Sequence, residues 1–225
     1  MEQQTFHEEA KRAFFNHAAG NWDEIFLKEE LERRLEMFVS QFDLKRGEKI
    51  LDVGAGTGVL IPHILKTTGS SSIVVAVDFA ERMARICNRK CHGLANVMVG
   101  VQTVERLALL PTSFDVVTCF GLFPHIKDKK KALKEINCVL RQGGKLVIAH
   151  ALSSVEIRKH HQNAPQVVAN DVLPEKKEMR KLLCGAGFSV RQLKDECGCY
   201  LCVALKIRDK RDETQYPLVL KQQHF

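Results

Sequence analysis

Three glycines at alternate positions join two apolar runs in Ile50-Leu51-Asp52-Val53-Gly54-Ala55-Gly56-Thr57-Gly58. Lys49 to Val53 reads as a buried strand, and Val59-Leu60-Ile61-Pro62-His63-Ile64-Leu65 as an apolar helix. A strand that enters a helix through glycines lets bare backbone approach a ligand, with N–H groups at the helix start facing it. The expected product is a nucleotide-type pocket at the carboxyl end of a parallel strand. The spacing is G-x-G-x-G, not the G-x-G-x-x-G of dinucleotide loops. Ile73-Val74-Val75-Ala76-Val77-Asp78 reads as a second buried strand capped by a carboxylate. Asp78 follows Gly58 by 20 residues, the distance at which an acid meets ribose hydroxyls.

Asp52-Val53-Gly54-Ala55-Gly56-Thr57-Gly58 resembles the first motif of class I S-adenosylmethionine-dependent methyltransferases, and Asp78 resembles their ribose-binding acid. Ser113-Phe114-Asp115-Val116-Val117 and the stretch Ala132 to Leu146 are similar to the ubiquinone/menaquinone-type branch, which methylates small molecules. The resemblance runs from about residue 10 to 207. It implies an α/β, doubly wound (Rossmann-like), mostly parallel seven-stranded sheet with an antiparallel last strand and an N-terminal helical cap. It implies S-adenosyl-L-methionine as cofactor and a small-molecule acceptor as partner. The cofactor residues it implies are Asp52, Gly54, Ala55, Gly56, Gly58, Asp78, Phe79, Thr103, Val104, Cys119, Phe120 and Trp22. Many relatives carry Asp where Thr103 stands. Thr103 still accepts through its hydroxyl, and the Val104 N–H still serves a ring nitrogen.

At 225 residues there is room for one sizeable α/β domain. The expected division is a cap at 1–44, a core at 45–207 with an insertion at about 151–175, and a mobile tail at 208–225. The polar, acidic start is no secretory signal, and no apolar run reaches the roughly 20 residues of a membrane span. A cytoplasmic monomer or homodimer is the expectation. Eight cysteines are scattered without a C-x-x-C pair of pairs, so reduced, unligated thiols are expected. The formal charge of +7 sits largely in Lys127 to Lys134 and the tail. No aromatic residues interleave with those lysines as base-stacking platforms, so a solvated helix face is expected and no nucleic-acid partner.

Residues 8 to 40 read as helices, with Ala10, Ala13, Phe14 and His17 on one face and Leu27, Leu31, Leu35 and Phe38 at helical spacing. Trp22 reads equally as a core anchor or an active-site lid. Val97 to Val101 and Phe114 to Cys119 read as the third and fourth strands, and Leu146 to Ala149 as the fifth, after a lysine-rich helix broken by Gly143-Gly144. Ser153 and Glu156 make a capping box. Strands near Ser189–Leu193 and Tyr200–Ile207 finish the sheet.

Methyl transfer from a sulfonium needs alignment of donor and acceptor, and a base only where the acceptor carries a proton. Imidazole suits that role. His125 and His150 follow the fourth and fifth strands and are expected to line the acceptor pocket, with His161 a third candidate from the insertion. Three imidazoles are also a zinc-type ligand set, so a metal reading stands beside the base reading, although no metal is expected.

Overall fold

The computed structural model describes residues 2–26 and 29–207. Seven strands form one sheet among them: β1 Lys49–Val53, β2 Ile73–Asp78, β3 Val97–Val101, β4 Phe114–Phe120, β5 Leu140–His150, β6 Phe188–Glu196 and β7 Cys199–Lys206. Their order is β3-β2-β1-β4-β5-β7-β6. The first five run parallel, and β7 is antiparallel to both β5 and β6. Chain order reverses at β1, between β2 and β4, so the crevice for a ligand opens where β1 and β4 end. The Rossmann-like architecture expected from the sequence is present.

The helices are α1 Glu2–Ala18, α2 Trp22–Phe26, α3 Glu29–Ser40, α4 Ile61–Thr68, α5 Glu81–Lys90, α6 Lys129–Val139, α7 Ser154–Gln162, α8 Gln166–Ala169 and α9 Lys176–Gly185. Because side chains alternate along a strand, each central strand feeds two cores. On one face Val117, Leu146 and Ile148 meet Leu133 and Ile136 of α6 and Met179 and Leu183 of α9. On the other, Ile50, Val74 and Val147 meet Ile61 and Ile64 of α4 and Leu35 and Phe38 of α3. Each fully buried Leu or Ile contributes about 1.5–3 kcal/mol. A third cluster, Phe15, Ala19, Ala80, Met83 and Val168, seats α1 on α5 and α8.

Three expectations change. The buried stripe of α1 is Lys11, Phe15 and Ala19, whereas Ala13 and His17 are exposed. A lysine had stood for solvent in the sequence pattern, but this one has a buried partner and rotates the face. Strand β5 begins at Leu140, not Leu146, and Gly143-Gly144 lie inside it. A Cβ on Gly144 would meet the Arg141 carbonyl at 2.8 Å and the Asp115 carbonyl at 3.1 Å, so glycine here permits close backbone approach. Lastly, β6 and β7 start earlier than expected, at Phe188 and Cys199. The capping box of α7 is formed by Ser153 and Glu156. Leu27, the side chain of Leu31 and residues 208–225 lie outside the described residues. No described helix is long and apolar enough to cross a membrane.

Candidate active site

The loop after β1 turns at Gly54 and Gly56, with φ of 67° and 57°, a region that side chains with a Cβ rarely enter. The backbone they leave bare forms the floor of a cavity of about 640 Å³. A Cβ on Gly54 would collide with Leu122, and one on Gly56 would lie 3.5 Å from the Trp22 indole nitrogen. Trp22 therefore roofs the glycine loop while packing edge-on against Phe15, with centroids 5.9 Å apart. Thr57 donates to Asp23 at 2.6 Å, which ties α2 to the same loop. Trp22 thus has the packing of an anchor and also borders the cavity.

Of the carboxylates that border the cavity, Asp52 and Asp78 are buried. Asp78 Oδ2 accepts the Gly56 N–H and Oδ1 the Ala80 N–H, each at 2.9 Å. Burial pushes its carboxyl above the ordinary range, although the backbone donors oppose that. The Phe79 N–H adds a third backbone donor, which leaves the carboxylate one lone pair for a hydroxyl. Asp52 accepts the Thr118 hydroxyl at 2.7 Å, and burial raises its pKa to about 7. At neutral pH such a group is divided between carboxylic acid and carboxylate.

Around them, Ala55, Phe79, Thr103, Val104 and Phe120 border the cavity, as the sequence implies. The Thr103 hydroxyl donates to the Glu105 carboxylate at 3.5 Å and accepts the Glu105 N–H at 3.4 Å, both long contacts. Gly58 and Cys119 do not border the cavity. A Cβ at Gly58 would strike Cys87 Sγ at 2.8 Å, so its lack of side chain serves helix packing. Cys119 points into the α6 side of the sheet, one residue out of phase with Thr118 and Phe120.

Opposite the glycine loop lies an imidazole cluster. His125 ends a 3₁₀ turn, Phe123–His125, that Pro124 stiffens. Its Nδ1 is 2.6 Å from Asp171 Oδ2, and its ring borders the cavity. A carboxylate can only accept, so Nδ1 carries the proton and Nε2 keeps the lone pair. Burial lowers the pKa of His125; Asp171 opposes this, while His161 and Lys11 reinforce it. For Asp171 burial works upward, yet hydrogen bonds from His125 and Lys11 prevail and hold its carboxyl below the usual range. Phe15 packs edge-on against the His125 ring at 5.1 Å.

His150 and His161 stand behind His125 and do not border the cavity. His161 is buried, donates through Nδ1 to the Asp171 carbonyl, and stacks at 4.9 Å on His125. His150 pairs across the sheet with Tyr200, and its Nδ1 and the Tyr200 hydroxyl are buried polar atoms without a hydrogen-bond partner. Burial, with help from His125, His161 and His160, drives its pKa down to about 3. Ala149 pairs with Phe120, the last residue of β4, and His150 follows it at the end of β5, paired with Tyr200 on the side of β7. Among the described residues, no group of three or more His, Cys, Asp or Glu side chains is placed to hold a metal ion. Lys11, Phe15 and Leu122, which border the cavity, were missed from the sequence. Lys11 and Phe15 lie one helical turn apart on α1, and only the phenylalanine carries an apolar signal.

A bare loop floor, an acid with a free lone pair at a strand end and a second acid poised near neutrality fit S-adenosylmethionine, whose ribose needs acceptors and whose methionyl end is cationic. Residues 44–205 match the family described as a methyltransferase domain. The demethylmenaquinone methyltransferase of Staphylococcus saprophyticus is 31% identical over 137 residues, covering 59% of this chain and 58% of that protein. The ubiquinone biosynthesis O-methyltransferase of Coxiella burnetii is 32% identical over 114 residues, covering 50% of this chain and 47% of that protein. The chain thus spans about half the length of the curated relatives it matches. A SAM-dependent methyltransferase from Aquifex aeolicus superposes with a TM-score of 0.69 at 23% identity, over 84% of this chain and 98% of that one. The chain belongs to the methyltransferase-domain family and has the class I S-adenosylmethionine-dependent methyltransferase fold.

Proposed function

We propose that the protein transfers a methyl group from S-adenosylmethionine to a small-molecule acceptor that gives up a proton as it reacts. The observation that carries this is His125, fixed on Asp171 and bordering the same cavity as the glycine loop and Asp78. The cofactor, when bound, supplies both the methyl group and its own leaving sulfide. The chain's tasks are then alignment, exclusion of water and removal of one proton. Asp78 takes a ribose hydroxyl, Thr103 and Val104 hold the adenine edge, and Asp52 faces the methionyl end. An acceptor taking the methyl group would pass its proton to His125 Nε2, and Asp171 would stabilise the imidazolium so formed.

The names of the Staphylococcus and Coxiella relatives support a ring-bearing acceptor of quinone-biosynthetic type. Phe15, Trp22 and Phe79 give the cavity an aromatic wall that suits such a ring. His150 and His161 orient His125 from behind. The test is incubation with methyl-labelled cofactor and, separately, a small-molecule extract, RNA and protein. Label entering the small-molecule fraction, and lost with His125→Ala, is the expected result. Label confined to RNA or protein contradicts the reading.

A further inference from the structure

We propose that Lys11 of the cap is a positioning residue for the base: its single ammonium joins α1 to Asp171 and to the His125 backbone, so the base is complete only when the cap is docked. This rests on the reading of His125 as the proton acceptor. Lys11 Nζ lies 2.8 Å from both Asp171 oxygens and 3.1 Å from the His125 carbonyl. An ammonium has three donors, and three acceptors surround it. None is left for a bound acceptor molecule, so Lys11 acts through its neighbours and not on the reacting atoms.

The residue choice is informative. Lys11 is 7% exposed and sits on the α1 face that otherwise buries Phe15 and Ala19. Burying an ammonium is costly unless it is paired and fully bonded, and methionine would fill the same space more cheaply. The three partners come together across 114 and 160 residues of sequence. Other contacts hold α1 independently of Lys11. Arg12 and Asn16 both donate to Glu81 at 2.9 Å, and Phe15 packs on Phe79 at 5.7 Å. Loss of the ammonium therefore disturbs the base without undocking the helix. Moreover, α1 lies outside residues 44–205 while His125 and Asp171 lie inside them, so this contact joins the cap to the matched domain.

The charged and titratable groups facing His125 are Lys11 from α1, Asp171 after α8, His161 from α7 and His150 at the end of β5. Asp171 favours the imidazolium, and the others oppose it. Lys129 of α6 sits further out, on the Pro124 and Ile126 carbonyls. Removing the Lys11 cation leaves Asp171 less neutralised against His125, so His125 becomes more basic.

The test is a side-chain nitrogen NMR titration of the full chain labelled in histidine, with His125→Gln to assign the resonance. In the wild type, His125 carries its neutral-form proton on Nδ1. In Lys11→Met its titration moves to higher pH, and Lys11→Arg returns it towards the wild-type position. With an acceptor in hand, the acid limb of kcat/KM moves up in the same variant, while the Kd for the cofactor stays within about threefold. A His125 titration unmoved in Lys11→Met overturns the inference. If His125→Ala leaves methyl transfer intact, the base reading falls first and takes the inference with it. If His125 is essential yet Lys11→Met shifts neither titration nor rate profile, the inference alone falls.

Discussion

Asp78 at the end of β2 accepts the amide N–H of Gly56 at 2.9 Å, which makes strand end and glycine loop one unit. Asp78→Ala leaves the Gly56 and Ala80 amides unpaired and should cost about 1–3 kcal/mol in stability. For a chain of this length that is a Tm lower by about 2–4 °C per kcal/mol. Asp78→Asn keeps one accepting oxygen and should lose less. Thermal melts of the two variants check this; equal melting temperatures for wild type and Asp78→Ala would refute it.

His125 must be neutral to accept a proton, and burial holds its pKa below the ordinary imidazole value. Methyl transfer should therefore rise with pH along a limb centred below about pH 6.5. His125→Ala should lower kcat by about 10²–10⁴-fold, the usual worth of a general base, with cofactor Kd nearly unchanged. Asp171→Asn should also slow the reaction, because an amide no longer enforces the Nδ1–H tautomer. A pH–rate profile with its acid limb above 7 would contradict this assignment.

Asp52, with its pKa raised to about 7, is close to half protonated at neutral pH in the free protein. A cationic methionyl end favours the carboxylate, so binding should release up to about half a proton at pH 7. Calorimetry in two buffers of different ionisation enthalpy measures that release. It should vanish in Asp52→Asn; a buffer dependence unchanged in that variant would count against the placement.

His150 gives a sign-definite stability effect. Its folded pKa of about 3 lies below the unfolded value of about 6.5, so the unfolded chain binds the extra proton between them. Its contribution is present above pH 6.5 and lost as pH falls towards 3. Asp52 works the other way, stabilising below its unfolded pKa and losing that contribution as pH rises towards 7. The difference between wild type and His150→Leu isolates the histidine: the variant's Tm should fall less between pH 6.5 and pH 4. Parallel curves would show that His150 is not buried neutral.

The sheet was legible because strand, glycine loop and acid recur at spacings that backbone geometry enforces. Lys49–Val53 and Ile73–Asp78 are apolar runs that end in residues only a ligand-facing turn requires. Cys119 and Phe120 both came from the resemblance, which does not say which of two neighbours on a strand faces the cavity; Phe120 does, and Cys119 turns to the opposite core. His150 was expected at the cavity because strand outlets share an edge of the sheet, and His161 because it lies in the insertion; neither position says which way the ring turns. Lys11 escaped notice because a lysine in a helix ordinarily marks the solvent face. Its partners, Asp171 and the His125 carbonyl, are distant in sequence and carry no local signature.

Calorimetric titration of the full chain with S-adenosylmethionine, and with its demethylated product, tests the central claim that this cavity is a methyl-donor site. Both should bind one to one. Asp78→Ala should weaken both at least tenfold, since a charged acceptor to a hydroxyl is worth about 1.5–3 kcal/mol, whereas His125→Ala should leave both within about threefold. Binding of neither compound to the wild-type chain would contradict the account.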